Sequence, residues 1–171
     1  MLYQLSGDIL KSSAPVIVHG IAPNDPFHTG LALQLRELMP AMYKDFRHYC
    51  QVSHPQPGDM WAWAGSGPRG TVQVVCLMTQ DGGYEHGAKP GRAHLEHVNH
   101  ALKKLRKWID TNHPEAVALP RLATGVGGLE WDAVWPLVQQ HLGDLSIPVY
   151  IYTTFHKGVE AKEPRPVAVK H

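Results

Sequence analysis

The chain has 171 residues, of which 43% are hydrophobic and 18% charged, and this balance suits one domain with a substantial buried core. Its formal net charge of +1 excludes a general electrostatic attraction to nucleic acid, although a local basic patch would not show in that sum. Two cysteines are too few for a disulfide framework, and we find no export signal or long apolar span, so we expect a cytoplasmic protein without a membrane segment.

Strands and helices alternate along the first half of the chain. Short β-branched or alternating apolar runs predict strands at residues 2–5, 14–18, 60–64 and 71–78. The last two are joined by a turn-rich segment, which is typical of a hairpin. Residues 19–30 have the Gly, Pro, Asn and Asp of a long loop, and residues 31–50 have the spacing of an amphipathic helix.

The second half continues this alternation. Glycine-rich residues 80–91 predict a loop, and apolar residues at helical spacing predict a helix over residues 92–110. A strand at residues 116–119, a helix at 131–142 and a strand at 148–153 follow. This order predicts a layered α/β sandwich. Residues 157–171 have prolines and charges without apolar periodicity, so we expect a mobile tail there.

The segment PRLATGVGGLEW, residues 120–131, joins a predicted buried strand to a predicted helix. Glycines allow a ligand to approach the backbone closely, and amides near the start of a helix attract phosphate oxygens. The same loop would also serve as a plain chain reversal. It lacks the Lys-Ser/Thr ending of a P-loop and the GxGxxG spacing of dinucleotide-binding folds, so a different mode of phosphate binding is needed.

Several separated motifs together resemble a macrodomain. They are SGDIL at residues 6–10, the strand that runs into His19-Gly20, HTGLALQL at residues 28–35, the LMTQ strand end and PRLATGVGGLEW. More narrowly, the chain resembles the branch that holds terminal ADP-ribose protein glycohydrolases and DNA ADP-ribosyl glycohydrolase antitoxins. The resemblance implies a three-layer α/β/α domain with a mixed central sheet, which we place at residues 1–156, and a cleft for ADP-ribose at the strand ends.

The resemblance also implies roles for individual residues. Asp8 would accept a hydrogen bond from the adenine amino group, or it is simply a turn aspartate that binds backbone amides. Ile9 would contact the adenine, and Phe155 would either stack on it or pack in the protein. The remaining implied substrate contacts, at a strand end and in two loops, are His19, Gly20, Thr29, Gly30, Leu31, Thr124, Gly125, Val126, Gly127 and Gly128.

Gln80 departs from the resemblance, because the glycohydrolases carry a nucleophilic lysine at this position. An amide supplies neither a nucleophile nor a base near neutral pH. Gln80 would then position substrate or water, and a carboxylate in a flanking loop, such as Asp25 or Glu85, would activate the water; Asp81, His86 and Lys89 are further candidates. We therefore favour an ADP-ribosyl glycohydrolase with altered catalytic groups. A non-catalytic reader of ADP-ribose and an O-acetyl-ADP-ribose deacetylase are the alternatives.

The expected partners are ADP-ribose and ADP-ribosylated protein or DNA, bound by a monomer. The resemblance implies no cofactor. His94, His97 and His100 recur every three residues on a predicted helix, but the apolar residues between them define the buried side, so we interpret them as a solvated face without metal.

Overall fold

The computed structural model of the chain describes residues 1–68 and 70–165. Within them lies a six-stranded sheet formed by β1 Leu2–Gly7, β2 Val16–Ile21, β3 Met60–Gly67, β4 Gly70–Met78, β5 Val117–Pro120 and β6 Val149–Phe155. The strand order is β1-β6-β5-β2-β4-β3, and every neighbouring pair is parallel except β3 and β4. The prediction of a mixed sheet is confirmed.

The helices are α1 Gly30–Leu38, α2 Pro40–Ser53, α3 Leu95–Asn112 and α4 Trp131–Leu142, with a short 3-10 helix at Ile9–Lys11. One helix was expected over residues 31–50, but the chain breaks at Met39, whose φ of −134° and ψ of 69° are not helical. Proline disfavours helical geometry at the preceding residue and suits the first turn of a new helix, so Pro40 separates α1 from α2. No helix in the described part of the chain has the length and apolar character needed to cross a membrane.

Alternate residues of the strands face two different helical layers. In β4, Val75 and Leu77 belong to the buried cluster that includes α3 and α4, whereas Val74 and Cys76 belong to the cluster that includes α1 and α2. This alternation follows from the period of two along a strand. The three-layer α/β/α architecture is confirmed.

Residues 157–165 pack against the body of the domain. The Gly158 amide donates to the Asp8 carboxylate at 2.9 Å, and the Asp8 amide donates to the Val159 carbonyl at 2.7 Å. The Tyr150 hydroxyl donates to the Pro164 carbonyl at 2.7 Å. This arrangement differs from the mobile tail expected from the sequence, because hydrogen bonds rather than apolar residues hold the segment. Residues 166–171 lie outside the described residues.

Candidate functional site

A crevice forms where the chain leaves two neighbouring strands in opposite directions. β2 leads into α1 on one face of the sheet, and its neighbour β5 leads into α4 on the other face. In open α/β sheets, ligands bind outside the carboxyl ends of strands at such a switch point. The loop of residues 22–29, after β2, and the loop of residues 121–130, after β5, therefore border the candidate cleft; we call them the first and second loops.

An apolar groove of about 370 Å³ lies at one end of this cleft. Its lining residues are Ile9, Gly30, Leu31, Gln34, Pro120, Tyr152 and Phe155. Phe155 stands at the end of β6 with 56% of its surface exposed, so its ring is available at the edge of the groove. The structure thus brings together four residues that the sequence analysis assigned to substrate binding, namely Ile9, Gly30, Leu31 and Phe155.

Three lining residues of the groove were missed from the sequence. Gln34 lies four residues after Gly30 in α1, so the helical repeat places it on the same side, and this signal was available. Pro120 and Tyr152 come from two different strands, and only the pairing of β5 with β6 brings them together. Periodicity within one segment does not contain that information.

Asp8 borders the groove through its neighbour Ile9 and is only 5% exposed. One carboxylate oxygen accepts the Leu10 amide at 3.0 Å and the other accepts the Gly158 amide at 2.9 Å. The carboxylate therefore caps the 3-10 helix and holds the C-terminal segment, as expected of a turn aspartate. Because each carboxylate oxygen has a second lone pair, these bonds leave each oxygen able to accept one further donor.

The first loop ends at the open start of α1. Thr29, the N-cap residue, makes no side-chain capping bond, and the first amides of α1 have no side-chain acceptor among residues 1–68 and 70–165. Gly30 has a φ of +58°, and a Cβ there would meet no atom within 4 Å. Unsatisfied amides at a helix start, with open space in front of them, are suited to an anion.

The second loop has two kinds of glycine. Gly125 faces open space, because a Cβ there would have nothing within 4 Å. A Cβ on Gly127 would lie 2.7 Å from the Ala123 carbonyl oxygen and 2.8 Å from the Ala93 Cβ, so only glycine fits. The Gly128 amide donates to the Gly125 carbonyl at 3.1 Å and closes the turn, while Val126 is 58% exposed at its tip.

His19 and Gly20 lie at the end of β2, but the His19 side chain turns away from the cleft. It is 2% exposed, its Nε2 lies 3.1 Å from the Cys76 Sγ, and its ring meets the edge of Phe27. Burial lowers the pKa of His19 to about 4, so the ring is neutral. This differs from the expected substrate contact. A Cβ on Gly20 would lie 2.9 Å from the Thr79 hydroxyl, so Gly20 serves close packing.

Gln80, Asp25 and Glu85, the first candidates for catalysis, have different surroundings. Gln80 is 5% exposed, and its amide donates to the Gly91 carbonyl at 3.0 Å. Asp25 is 7% exposed, and its carboxylate accepts the amides of Ala22 and Phe27; burial raises its pKa, against the lowering effect of these bonds. Glu85 lines a separate polar cavity of about 470 Å³ together with Asn24, Pro26, Arg47, Gln51, His54, Tyr84, His86, Gly87 and Ala88.

A network of backbone hydrogen bonds joins the end of β4 to the second loop. The Asp81 amide donates to the Arg92 carbonyl at 2.8 Å, and the Ala93 amide donates to the Gly127 carbonyl at 2.9 Å. His94 Nε2 lies 2.8 Å from the Asp81 carboxylate, and both side chains are about half exposed, at 51% and 55%. In residues 1–68 and 70–165, no three His, Cys, Asp or Glu side chains are arranged to hold a metal ion.

No protein-family model matches the chain. A DNA ADP-ribosyl glycohydrolase of Thermus aquaticus is 26% identical over 153 residues, which cover 89% of this chain and 41% of that protein. An ADP-ribose 1''-phosphate phosphatase of Saccharomyces cerevisiae is 23% identical over 171 residues, which cover 85% of this chain and 96% of that protein. The chain therefore spans less than half the length of the glycohydrolase that it matches.

Solved structures agree in fold. The macrodomain of Thermus aquaticus DarG has a TM-score of 0.76 and 25% identity, and the match covers 90% of this chain and 98% of that one. Thermosipho africanus DarTG in complex with ADP-ribose has a TM-score of 0.78 and 20% identity, and the match covers 91% of this chain and 42% of that one. The chain is a macrodomain in fold, and its likeness to DarG confirms the resemblance seen in its sequence.

Proposed function

We propose that the chain binds ADP-ribose along the cleft, with the adenine in the apolar groove and the diphosphate between the two loops. The exposed Phe155 ring beside that groove carries the proposal, because a flat apolar face without a protein partner suits a nucleobase. The first amides of α1 and the exposed Gly125 form the proposed binding site for the diphosphate, next to the apolar groove.

The strand order supports a direction for the proposed ligand. The groove lies over β6 and β5, the two loops follow β2 and β5, and Gln80 follows β4. From β6 to β4 is three strand spacings, roughly 14 Å in all. The distal ribose would accordingly lie near the end of β4, beyond the diphosphate.

Hydrolysis of an ADP-ribosyl linkage on DNA or protein is the reaction that we propose for this cytoplasmic domain. A relative's name and fold support the reaction class. Because Gln80 is buried and has no nucleophilic amine, a water molecule would attack the anomeric carbon, and the bond to the macromolecule would break.

The Asp81–His94 pair is better placed than Asp25 or Glu85 to receive the proton of this water. Asp81 follows Gln80 directly and both members of the pair are exposed, whereas Asp25 is only 7% exposed and Glu85 lines the other cavity. The pair would accept the proton through His94, with Asp81 orienting the ring. The leaving atom would take a proton from solvent.

Cleavage of a phosphate ester of ADP-ribose is the second candidate. The yeast phosphatase matches over 96% of its own length, whereas the glycohydrolase matches over 41%. Gln80 favours this candidate as well, because removing a phosphate does not require attack by a lysine on the ribose. The same adenine groove and diphosphate seat serve both reactions.

Calorimetry with ADP-ribose tests the binding step. Phe155→Ala is expected to weaken binding by about tenfold, since stacking on an aromatic ring contributes roughly 1–3 kcal/mol per base. Val159→Ala is the matched control, because Val159 is also about half exposed, at 51%, but does not line the groove. If unaltered protein does not bind ADP-ribose, or both variants bind equally well, the proposed ligand position is wrong.

Product analysis separates the two reactions. The protein is incubated with thymine-linked ADP-ribose on DNA, with glutamate-linked ADP-ribose on protein and with ADP-ribose 1''-phosphate. Release of ADP-ribose from the first two supports the glycohydrolase, and release of phosphate from the third supports the phosphatase. Binding without turnover of any of them would contradict both and leave a reader.

A further inference from the structure

Arg92 lies beside the second loop and was not among the residues singled out from the sequence. A Cβ placed on Gly128 would be 3.8 Å from its Nη2 and 3.9 Å from its Nε. The guanidinium therefore lies against the turn that closes the loop, and the lack of a side chain at Gly128 leaves space beside it.

The backbone around Arg92 is held firmly, while its side chain is available. The Arg92 carbonyl accepts the Asp81 amide, and the next residue, Ala93, donates to Gly127. The Arg92 side chain is exposed, and it forms no hydrogen bond or ion pair with the described part of the chain. The nearby Asp81 carboxylate is engaged by His94 instead. A planar guanidinium with free donors on a fixed backbone is a suitable partner for a phosphate group.

The sheet order indicates which phosphate Arg92 can reach. Its backbone is bonded to Asp81, just beyond β4, whereas the adenine groove lies over β6 and β5. The diphosphate seat lies between these positions, at the ends of β2 and β5. The Arg92 backbone therefore lies near the distal-ribose end of the cleft, roughly three strand spacings from β6, and its guanidinium lies beside Gly128 of the second loop.

From this position we infer that Arg92 binds a phosphate that lies beyond the distal ribose, and so selects ligands that carry one. The inference rests on the proposed binding of ADP-ribose. The phosphate has two possible sources with the same chemistry, namely an ester on the distal ribose or the backbone of ADP-ribosylated DNA. In both, the guanidinium donates two hydrogen bonds to phosphate oxygens.

Binding measurements with a ligand series test this inference. The ligands are ADP, ADP-ribose, ADP-ribose 1''-phosphate, and an ADP-ribosylated oligonucleotide with either natural or uncharged methylphosphonate linkages beside the modified base. The proteins are unaltered chain, Arg92→Ala, Arg92→Lys and Lys107→Ala, the last a control for loss of one exposed positive charge on α3. Product formation is followed in the same samples, so that each affinity is taken from a period in which the ligand is still intact.

Arg92→Ala is expected to weaken binding of at least one phosphate-bearing ligand by about tenfold or more, as for loss of a charged hydrogen-bonding partner. Binding of ADP and ADP-ribose should change by less than about twofold, and Arg92→Lys should restore part of the loss, because it keeps the charge without the planar fork. Lys107→Ala should bind every ligand as unaltered protein does. Loss with the 1''-phosphate identifies the ester, and loss with only the natural oligonucleotide identifies the DNA backbone.

Two results would overturn the inference. An equal loss for ADP would mean that Arg92 contacts the diphosphate, and unchanged affinity for all phosphate-bearing ligands would mean that it contacts no phosphate. Failure of the proposed function gives a different result, because the unaltered chain would then not bind ADP-ribose at all.

Discussion

Gly125 and Gly127 are two residues apart in the second loop, yet they have different physical requirements. Gly127 is enclosed by the Ala123 carbonyl and the Ala93 Cβ, so any side chain there must displace the backbone. Gly125 is exposed and has free space where a Cβ would stand. A substitution at Gly127 therefore tests the shape of the loop, whereas a substitution at Gly125 tests what occupies the space in front of it.

We expect Gly125→Glu to weaken ADP-ribose binding by roughly tenfold at low salt, because a carboxylate would face the diphosphate. Gly125→Gln has nearly the same size without the charge and should bind within about threefold of the unaltered protein. The difference between the two variants should shrink as salt rises, since the screening length is about 10 Å at 0.1 M. Calorimetry at two salt concentrations checks this. Equal losses for Glu and Gln would argue that no anion lies there.

One side chain in the segment of residues 157–165, that of Glu163, makes several hydrogen bonds to the body of the domain. The Glu163 carboxylate accepts the Ser12 hydroxyl at 2.5 Å, the Ser13 amide at 2.8 Å and the Tyr152 hydroxyl at 2.9 Å. Burial acts to raise the pKa of Glu163, but these hydrogen bonds outweigh it and hold the pKa below its ordinary value. The segment packs through these hydrogen bonds together with those of Asp8 and Tyr150, and Ala161 adds a small apolar contact with the core.

Glu163→Ala should lower the free energy of unfolding by about 2 kcal/mol, because buried hydroxyl groups of Ser12 and Tyr152 lose a charged acceptor. Amide hydrogen exchange should also become faster in residues 157–165. Glu160→Ala is the matched control, since Glu160 is exposed, and it should change stability by less than about 0.5 kcal/mol. Denaturant unfolding and exchange measurements check both effects. Slow exchange of the segment in Glu163→Ala would show that other contacts hold it.

The elements show what the sequence could reveal about the fold. The buried runs that form β2, β4, β5 and β6 were recognisable because β-branched and apolar residues cluster there. The break between α1 and α2 was also predictable from Pro40, although apolar spacing continues across it. The packing of residues 157–165 was not, because Glu163 reaches partners about 150 positions away along the chain.

At the scale of the molecule, the strand order could not be derived from periodicity, and the family resemblance implied only a mixed central sheet and a cleft at the strand ends. The same holds for the cleft. Ile9, Leu31 and Phe155 meet because β6 lies inside the sheet next to β5, whereas each of them alone is an ordinary apolar residue. The catalytic candidates were the weakest part of the prediction, because burial of Asp25 and Gln80 depends on how loops fold over the sheet.

The stability of the whole domain should fall between pH 6.5 and 4 because of His19. Its pKa is about 4 in the folded state, against 6.5 for an ordinary histidine, since burial disfavours the charged ring. Above pH 6.5 the ring is mostly neutral in both the folded and the unfolded state, so its protonation does not change the free energy of unfolding. As the pH falls below 6.5, His19 takes up a proton in the unfolded chain but stays neutral in the folded chain. The free energy of unfolding therefore falls by up to about 3 kcal/mol by pH 4.

Urea unfolding followed by tryptophan fluorescence from pH 7.5 to 4 measures this effect. His19→Asn should be less stable at neutral pH but should show a flatter pH dependence than the unaltered chain. His113→Asn is the matched control, because His113 is exposed and has the positive φ of 50° that asparagine tolerates. It should keep the original slope. An unchanged slope in His19→Asn would assign the pH dependence to carboxylates whose pKa the fold lowers, such as Glu163 and Asp59.

The inner position of β6 has a consequence for synthesis on the ribosome. β1 pairs only with β6 in the described sheet, and Asp8 beside it binds Gly158 and Val159. These partners are about 150 residues apart in the chain, so β1 leaves the ribosome well before β6. Until β6 has been synthesised, β1 has no strand to pair with. The apolar groove is completed only when β6 is in place, so a ligand that binds there can stabilise the folded domain but cannot assist the earlier folding of the nascent chain.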